Sequence, residues 1–347
     1  MRHPRALFSV FAALLFVHPA ARSAPVCSLA EVESQWIQKA LDGWHEMSES
    51  LHLENAPLPW MVLFDNSCVW HLMPGDGVPV ETVPIATSLS FAGAAIPVRA
   101  KPHGGTIRLP RGDDIPADPI AYASMYGEGS ATFFVMALPE VWLLDPQYAR
   151  DPTLVRYMLG VLIHEMVHTQ QLPALVEQMQ KVADRNNLPD LHLDDDIIQH
   201  RFESVPGFTK AFEAERDVLF QAASEADLSK RHALTARGLS MIRQRRARYF
   251  KGVDQMYAEF EELFLSMEGA AQWAAYRYAK AHADPTASDA ATVDFIRDNR
   301  KAWSQEEGLA LFLLLDAWVP DWQAKIFASP PALPTSLLAD ALRPHRK

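Results

Sequence analysis

The sequence lacks several features that would assign it to a familiar class of protein. It has only two cysteines, Cys27 and Cys68, and each stands alone, which excludes both a disulfide-rich scaffold and a cysteine-based zinc site. It has no excess of basic residues: the formal net charge is −11, so nucleic acid and anionic lipid are not expected as its main partners. No internal repeat occurs. With 49% hydrophobic residues, the chain can instead bury a large core.

An apolar run long enough to cross a bilayer is also missing from the N-terminus. Residues 1–23 contain two early arginines, an apolar run over 6–17 and a His-Pro break, and this run is too short for a membrane span. We therefore predict a cleaved signal peptide at 1–23 and an exported protein, periplasmic or secreted, with no stable membrane insertion after cleavage. In an oxidising compartment Cys27 and Cys68 either form one disulfide or remain free thiols, and the sequence leaves both open.

The remaining pattern predicts an α+β fold in two parts, an N-terminal α+β subdomain over 24–150 and a helical subdomain over 151–347. The first part opens with an amphipathic helix over 28–54, started by a capping box of Ser28 and Glu31. β-Prone runs punctuated by Pro and Gly then predict four strands: Trp60–Phe64, Val69–Leu72, Thr106–Leu109 and Ala131–Leu138.

Two segments of the N-terminal part need separate expectations. Residues 74–105, rich in Pro and Gly, are expected to form a long irregular excursion over the surface. The strand at 131–138 either forms a sheet edge that could hold an extended peptide or lies inside the sheet, and the sequence does not choose. His71 and His103 are interpreted as ordinary strand and loop histidines.

The second part is predicted to be helical almost to its end. Asp194, Asp195 and Asp196 are interpreted as favourable charges at a helix N-terminus rather than as calcium ligands. Ser304 and Glu307 are predicted to cap the last long helix. The helices are expected over 175–186, 197–204, 210–226, 228–252, 254–282 and 309–318.

The most informative stretch is the apolar helix predicted over 151–173, with Asp151 as its N-cap and Pro173 as its end. Into this helix the sequence places His164, Glu165 and His168, the pattern H-E-x-x-H. Two imidazoles four residues apart lie on one helical face and can bind one ion, while the adjacent carboxylate can reach a water on that ion. Burying three ionisable groups is costly unless a metal or other partners compensate.

On this motif the chain resembles the zinc metallopeptidases that share H-E-x-x-H. Val161 stands where that family's helix often carries valine, and Thr169 is uncharged as its pattern requires, whereas Gln170 replaces a more usual hydrophobic residue. The resemblance covers this helix and one later stretch. It implies a zincin-like catalytic domain, Zn²⁺ as the cofactor and a peptide or protein as the substrate.

A catalytic zinc needs a third protein ligand, and no histidine follows at a suitable distance. Glu268 is isolated in the apolar run 264–273, where an ionised carboxylate requires a strong partner. Gly269 beside it would let another backbone approach closely. The run E-G-x-A followed by an aromatic residue also resembles the glutamate-ligand segment of glutamate-zincins, although 99 residues separate His168 from Glu268, far more than in aminopeptidases.

Two other acids remain open as the third ligand. Glu213 and Asp217 form E-x-x-x-D, which resembles the ligand and supporting pair of thermolysin-like enzymes, but they fall on the polar side of their helix. Glu215 lies on the apolar stripe with Phe212 and is better buried. Its other expected role is as the partner of a buried arginine or of a zinc-bound histidine.

These residues predict a zinc-dependent hydrolase, with a peptidase as the first interpretation. His164, His168 and Glu268 would hold the zinc, and Glu165 would act as the general base. The candidates for stabilising an oxyanion are Tyr276, Tyr278 and His232. Two alternatives stay open: a zinc hydrolase acting on a non-peptide carbonyl compound, and a catalytically silent binding protein with the same fold.

Overall fold

A computed structural model describes residues 27–75, 78–79, 81–127, 131–188, 196–297 and 301–343. Helices make up 56% of the structure and strands 13%, with the strands in the N-terminal part and a helical C-terminal region, so the predicted α+β class is confirmed. The predicted signal peptide, together with Asp194 and Asp195, lies outside the described residues. None of the helices in the described part of the chain is long and apolar enough to cross a membrane.

The strands form one main sheet and two small hairpins. The main sheet has the order β3-β6-β2-β1-β10-β9, and all its neighbours are antiparallel except the parallel pair β1 and β10. The hairpins are β4–β5 and β7–β8. The strand bounds are β1 Trp60–Phe64, β2 Cys68–Leu72, β3 Val83–Pro84, β4 Ser90–Phe91, β5 Ala94–Ala95, β6 Val98–Pro102, β7 Thr106–Arg108, β8 Asp114–Pro116, β9 Ala121–Met125 and β10 Thr132–Ala137.

Both faces of the central strands are buried, which explains their continuous apolar runs. On β1, Met61 and Leu63 face the main core with the helices, while Trp60 and Val62 face a second cluster that contains Ile107 of the β7–β8 hairpin. All four predicted strands are confirmed, and each predicted boundary lies within two residues of the observed one. Of the two possibilities left open for β10, the interior one is correct, because β9 lies outside it as the edge strand.

Residues 74–105 are not wholly irregular, as the sequence analysis expected. Val98–Pro102 forms β6, which pairs with β2 along its length. Along β6, buried Val98 and Ala100 alternate with more exposed residues. This pattern is short and has prolines beside it, so the sequence did not predict a strand here. A disulfide between Cys27 and Cys68 joins the N-terminal segment to β2, which decides between the two states that the sequence left open.

Eleven α-helices and one short 3₁₀ helix at Gly252–Met256 occur among the described residues. The longest, α3, carries H-E-x-x-H and packs against both the edge of the sheet and α7. The helix bounds are α1 Glu31–Ser50, α2 Pro139–Leu143, α3 Leu154–Arg185, α4 Ile197–Phe202, α5 Phe208–Ser224, α6 Leu228–Tyr249, α7 Tyr257–Ala281, α8 Asp289–Ile296, α9 Trp303–Trp318, α10 Trp322–Ile326 and α11 Pro334–Ala341.

The prediction that Pro173 ends the central helix was wrong, since α3 continues to Arg185 and includes the segment predicted as a separate helix. Proline cannot donate to the carbonyl four residues back, which costs about 3 kcal/mol in a helix interior. Beyond Pro173, however, Leu175, Met179 and Val182 bury their side chains in a second core cluster. Apolar burial of this size, about 1.5–3 kcal/mol for each large side chain, offsets that cost.

Three predicted helix caps were also wrong. Helix α1 starts at Glu31, and Glu33 rather than Glu31 accepts from the backbone, at 2.8 Å from Ala30 N. Asp151 accepts from Thr153 N at 2.8 Å, two residues before α3 begins. Ser304 and Glu307 lie inside α9 and are buried, because the helix starts earlier, at Trp303, which stacks on Phe208 and Phe212.

Candidate metal centre

Helix α3 presents its two histidines on the same face, four residues apart. The Nε2 atoms of His164 and His168 lie 2.8 Å from each other, and only 6% and 7% of these residues is exposed. The turns of α3 on either side of the two histidines are apolar, and they pack against the sheet edge and α7. Both imidazoles are therefore fixed in the interior with their Nε2 atoms converging.

Helix α7 brings Glu268 to the same point. Its Oε2 lies 3.2 Å from His164 Nε2 and its Oε1 lies 3.2 Å from His168 Nε2, and the residue is 1% exposed. One ligand atom from each of the three residues lies within 4.8 Å of the others. Ligands about 2.0–2.1 Å from a tetrahedral zinc are about 3.3 Å apart, so the carboxylate–imidazole distances fit such an ion.

Unpartnered atoms at this point support the same fit. Glu165 Oε2 is buried and forms no hydrogen bond with any described residue, and the contact described for Glu268 Oε2 is the 3.2 Å approach of His164 Nε2. A buried carboxylate oxygen without a donor is costly, and a cation between the ligands would remove that cost. Two nitrogens and one carboxylate are also the ligand types that zinc takes in catalytic sites.

A glutamine fixes the orientation of one imidazole. His168 Nδ1 lies 3.3 Å from Gln171 Oε1, and Gln171 Nε2 donates to Ser266 O at 3.2 Å. The contact links α3 to α7 and turns His168 Nε2 toward Glu268. A metal-binding histidine usually has such a partner on its other nitrogen. The sequence analysis missed Gln171, although a glutamine three residues after His168 on a buried helix was a usable signal.

The charges of the three ligands are coupled. Burial opposes ionisation of Glu268, but His168 and His164 outweigh it and hold the pKa of this carboxyl well below its usual range. Burial likewise opposes protonation of His168, yet the charge of Glu268 raises the pKa of His168 to about 9. Burial and the neighbouring His168 lower the pKa of His164. The metal-free centre thus holds a proton that a binding metal would displace.

Glu165, the residue after His164 on α3, lies beside the edge of the sheet. Its carboxylate is near the backbone N–H of Ala123 on β9, which acts to lower the pKa of Glu165. Burial raises the pKa of Glu165 to about 7; the charge of Glu268 acts in the same direction and His168 opposes it. A carboxyl with this pKa can exchange a proton near neutral pH, which is what a general base requires.

The neighbouring edge strand exposes backbone groups beside the centre. Ala137 N donates to Ile120 O and Tyr126 N donates to Ala131 O, at 2.9 and 3.0 Å. Since the direction of the groups alternates along an antiparallel strand, those of Ala121, Ala123 and Met125 face the open edge. The peptide-binding edge that the sequence analysis considered for β10 is therefore available on β9, which contacts α3.

The two alternative ligands lie elsewhere. Glu215 is completely buried and forms an ion pair with Arg245, the structural role that the sequence analysis allowed for it. Glu213 is exposed on α5, and Asp217 accepts hydrogen bonds from Arg216 instead of supporting a histidine. The structure brings neither glutamate to His164 and His168.

The three oxyanion candidates do not reach the centre. His232 Nε2 contacts Leu342 O at 3.2 Å. Tyr276 interacts with Lys280, whereas Tyr278 lines a cavity of about 640 Å³ between α1, α3 and α7 that contains none of the three ligands. The sequence analysis missed Tyr148 and Tyr157, the tyrosines that line a cavity beside His164 and Glu165.

A second cavity of about 350 Å³ adjoins His164 and Glu165. Its walls are mostly apolar and come from β10, the segment around α2, the first half of α3, α7 and α8. The apolar lining residues include Met136, Trp142, Leu154, Met158, Val161 and Ile296. No family model, curated protein or solved structure matches this chain.

Proposed function

We propose that this protein is an exported zinc-dependent peptidase with a zincin-like catalytic domain. One observation carries the proposal: His164, His168 and Glu268 converge in the interior, 2.8–3.2 Å apart, next to a carboxyl, Glu165, that has an unpartnered oxygen. A ligand set of this kind, with an adjacent base, is suited to hydrolysis of a carbonyl compound.

His164, His168 and Glu268 would hold the zinc, and Gln171 would keep His168 oriented. Bound zinc would supply Lewis-acid activation of a water molecule and of the substrate carbonyl. Glu165 takes the proton of the attacking water and passes it to the leaving amine. Glu165 Oε2 forms no hydrogen bond with any described residue and is therefore available for this transfer.

The edge of β9 favours a peptide over another carbonyl substrate. Ala121 and Met125 offer backbone donors and acceptors on either side of Ala123, whose N–H faces Glu165, and an extended peptide can pair with such an edge. A peptide in that position would run past Glu165, because Ala123 contacts this residue directly.

Two features support export. The N-terminal 23 residues have the composition of a signal peptide, and Cys27 forms a disulfide with Cys68. Disulfides persist mainly in oxidising compartments such as the periplasm or the extracellular space. Fractionation of cells that produce the full-length chain should recover the mature protein outside the cytoplasm, with its N-terminus near residue 24.

Metal content and hydrolysis test the proposal together. The purified protein should contain about one zinc per chain and should cleave unstructured peptides in a reaction that a chelator stops. Glu165→Gln should retain the zinc and the fold but lose at least about 10³-fold in kcat, because only the proton carrier is removed. The exposed Glu177→Gln, on the same helix, serves as the matched control.

Three outcomes would contradict the proposal. Normal zinc content in folded His168→Ala would remove the metal assignment, and full turnover by Glu165→Gln would remove the base. Chelator-sensitive hydrolysis of esters without any peptide cleavage would assign the protein to the non-peptide alternative.

A further inference from the structure

The 350 Å³ cavity beside His164 has a polar corner that the proposed function does not use. Gln272, Lys301 and Gln305 line this corner, and the same three residues line a smaller adjoining cavity. Among the described residues that line the cavity, Lys301 is the only cation other than the histidine, and Glu165 is the only acid. A ligand group placed in this corner therefore meets a positive charge and amides.

The two glutamines are arranged so that one donor stays available. Gln272 Nε2 donates to Gln305 Oε1 at 2.8 Å, and Gln272 is 9% exposed. Gln305 Nε2 has no hydrogen-bond partner among the described residues. The nitrogen and oxygen of a glutamine amide can be assigned in either order. If both amides are turned over, the free donor belongs to Gln272 and stays in the same corner. Gln305 is half-buried, so its free amide donor is accessible to a polar group of a ligand in the cavity.

Lys301 adds the charge. Its side chain is exposed and forms no ion pair with any residue in the described ranges. It precedes Ala302, the N-cap of α9, and both Ala302 and Gln305 of the first turn line the cavity. The partial positive charge of a helix N-terminus favours an anion in the same position as Lys301 does.

We propose that this cavity binds a carboxylate that is attached to a large apolar group. At about 350 Å³ it lies at the lower end of the range for small-ligand sites, so it accommodates one or two residues and not a long chain. Together with the proposed peptidase function, on which the substrate assignment rests, this makes peptides with a carboxylate one or two residues from the scissile bond the preferred substrates. The carboxylate is either the C-terminus of the peptide or an acidic side chain.

Direct binding tests the site without relying on turnover. The full-length protein with Glu165→Gln, which should not cleave its ligands, is titrated with N-acetyl-Leu-Phe and with the C-terminal amide of the same compound. The free acid should bind about tenfold tighter than the amide, since an exposed lysine contributes modestly. Adding Lys301→Gln should reduce this ratio to about one. Lys39→Gln, which removes the same charge at the 640 Å³ cavity, should leave the ratio unchanged.

The source of the carboxylate is decided by a third ligand, N-acetyl-Leu-Glu amide. Binding as tight as that of the free acid, and dependent on Lys301, would support the site with an acidic side chain as its ligand. Weak binding would support recognition of the C-terminus. Equal affinity for acid and amide, or a preference that survives Lys301→Gln, would overturn the proposal. If the wild type cleaves peptides but Glu165→Gln binds acid and amide equally well, only the cavity proposal fails. If Glu165→Gln prefers the acid but the wild type cleaves no peptide, only the peptidase proposal fails.

Discussion

Helix α7 carries three buried glutamates, and two of them, Glu261 and Glu268, lie two turns apart in surroundings that differ in one respect. Glu261 accepts from Arg245 Nη1 at 2.7 Å and from Arg246 Nε at 2.5 Å. Glu268 meets only imidazoles, His164 and His168, at 3.2 Å. One carboxylate is thus compensated by permanent cations, and the other by groups that can lose their charge.

The arginine cluster, made of Arg245, Arg246, Glu215, Glu261, Glu262 and Glu307, is a closed ionic network between α5, α6, α7 and α9. Burial opposes ionisation of Glu261, but the two arginines outweigh it and lower its pKa. Burial and the charge of Glu215 raise the pKa of Glu307 well above its ordinary value. Two arginines face four carboxyls in this cluster, and the raised pKa of Glu307 reduces the excess of negative charge that the arginines must compensate.

The different partners of Glu261 and Glu268 distinguish a structural ion cluster from a site that can exchange a proton for a metal ion. Guanidinium groups remain charged at every accessible pH, so Glu261 has a lasting partner. Imidazolium can release its proton to solvent when a metal arrives, so Glu268 can exchange a proton for an ion. We expect changes in the arginine cluster to alter folding, and changes at the metal centre to alter zinc binding.

The largest expected effect comes from Arg245→Met. It leaves buried carboxylates without their cation and should lower the free energy of unfolding by about 3–5 kcal/mol. Zinc per folded chain should stay at the wild-type value. Chemical denaturation and metal analysis of the folded fraction measure the two quantities. An unchanged midpoint would show that the cluster does not stabilise the fold.

The second-largest effect is expected at Glu268, the proposed third zinc ligand. Glu268→Gln keeps the volume but removes the charge, and zinc affinity should fall by more than about 100-fold, beyond the loss from changing a residue that only orients a ligand. Glu215→Gln should leave zinc affinity unchanged and reduce stability. Competition with a chromogenic chelator measures the affinities. Comparable zinc affinity in the two variants would remove the distinction between the clusters.

The third effect depends on pH and uses His71, a buried histidine outside both clusters. Its Nδ1 accepts from Trp60 Nε1 at 3.1 Å. Burial, aided by Lys101 and Arg99, lowers the pKa of His71 to about 4. Below its ordinary pKa of about 6.5 the unfolded chain takes up a proton that the folded chain resists, so stability falls with pH between 6.5 and 4, by about 2 kcal/mol at pH 5.

Denaturation of wild type and His71→Gln at pH 7 and pH 5 checks this sign. The difference in free energy of unfolding between the two proteins should shift in favour of the variant by about 2 kcal/mol at pH 5. Zinc affinity at pH 7 should be the same in both. A shift in favour of wild type would mean that His71 is protonated in the fold.

The smallest effect is expected from Gln171→Leu, which frees the ring of His168. Zinc affinity should fall by about tenfold, at the low end for a residue that orients a ligand. Gln170→Leu changes the neighbouring residue, whose side chain points toward Pro57, and should leave the affinity unchanged. If both variants bind zinc equally well, the hydrogen bond to His168 Nδ1 has no part in metal binding.

The sequence was most informative where local pattern and burial agree. The pair His164 and His168 needs only helical periodicity, and Glu268 was found because an isolated acid in an apolar run demands a partner. Strands β1 and β10 were found because their apolar runs are continuous. In each case the physical cause acts within about ten residues.

What the sequence could not supply were pairings between distant segments. The network around Arg245 joins residues from four helices, and no pattern within α6 identifies its partners on the other three. Strand β9 was missed because Ala121–Met125 lacks a strong apolar alternation, yet it forms the edge beside Glu165. The prediction that α3 ends at Pro173 failed for the same reason, because the residues after Pro173 are buried against α4 and α7.

Helices α7 and α9 touch where two glycines face each other, Gly269 and Gly308. A Cβ on Gly308 would lie 2.7 Å from Gly269 N, and a Cβ on Gly269 would lie 2.8 Å from Gly308 O. Each glycine follows a buried acid, Glu268 in one helix and Glu307 in the other. For protein engineering this sets unequal freedom along α9: Gln305 can be varied to reshape the cavity, whereas any side chain at 308 would push α7 outward and carry Glu268 away from the histidines.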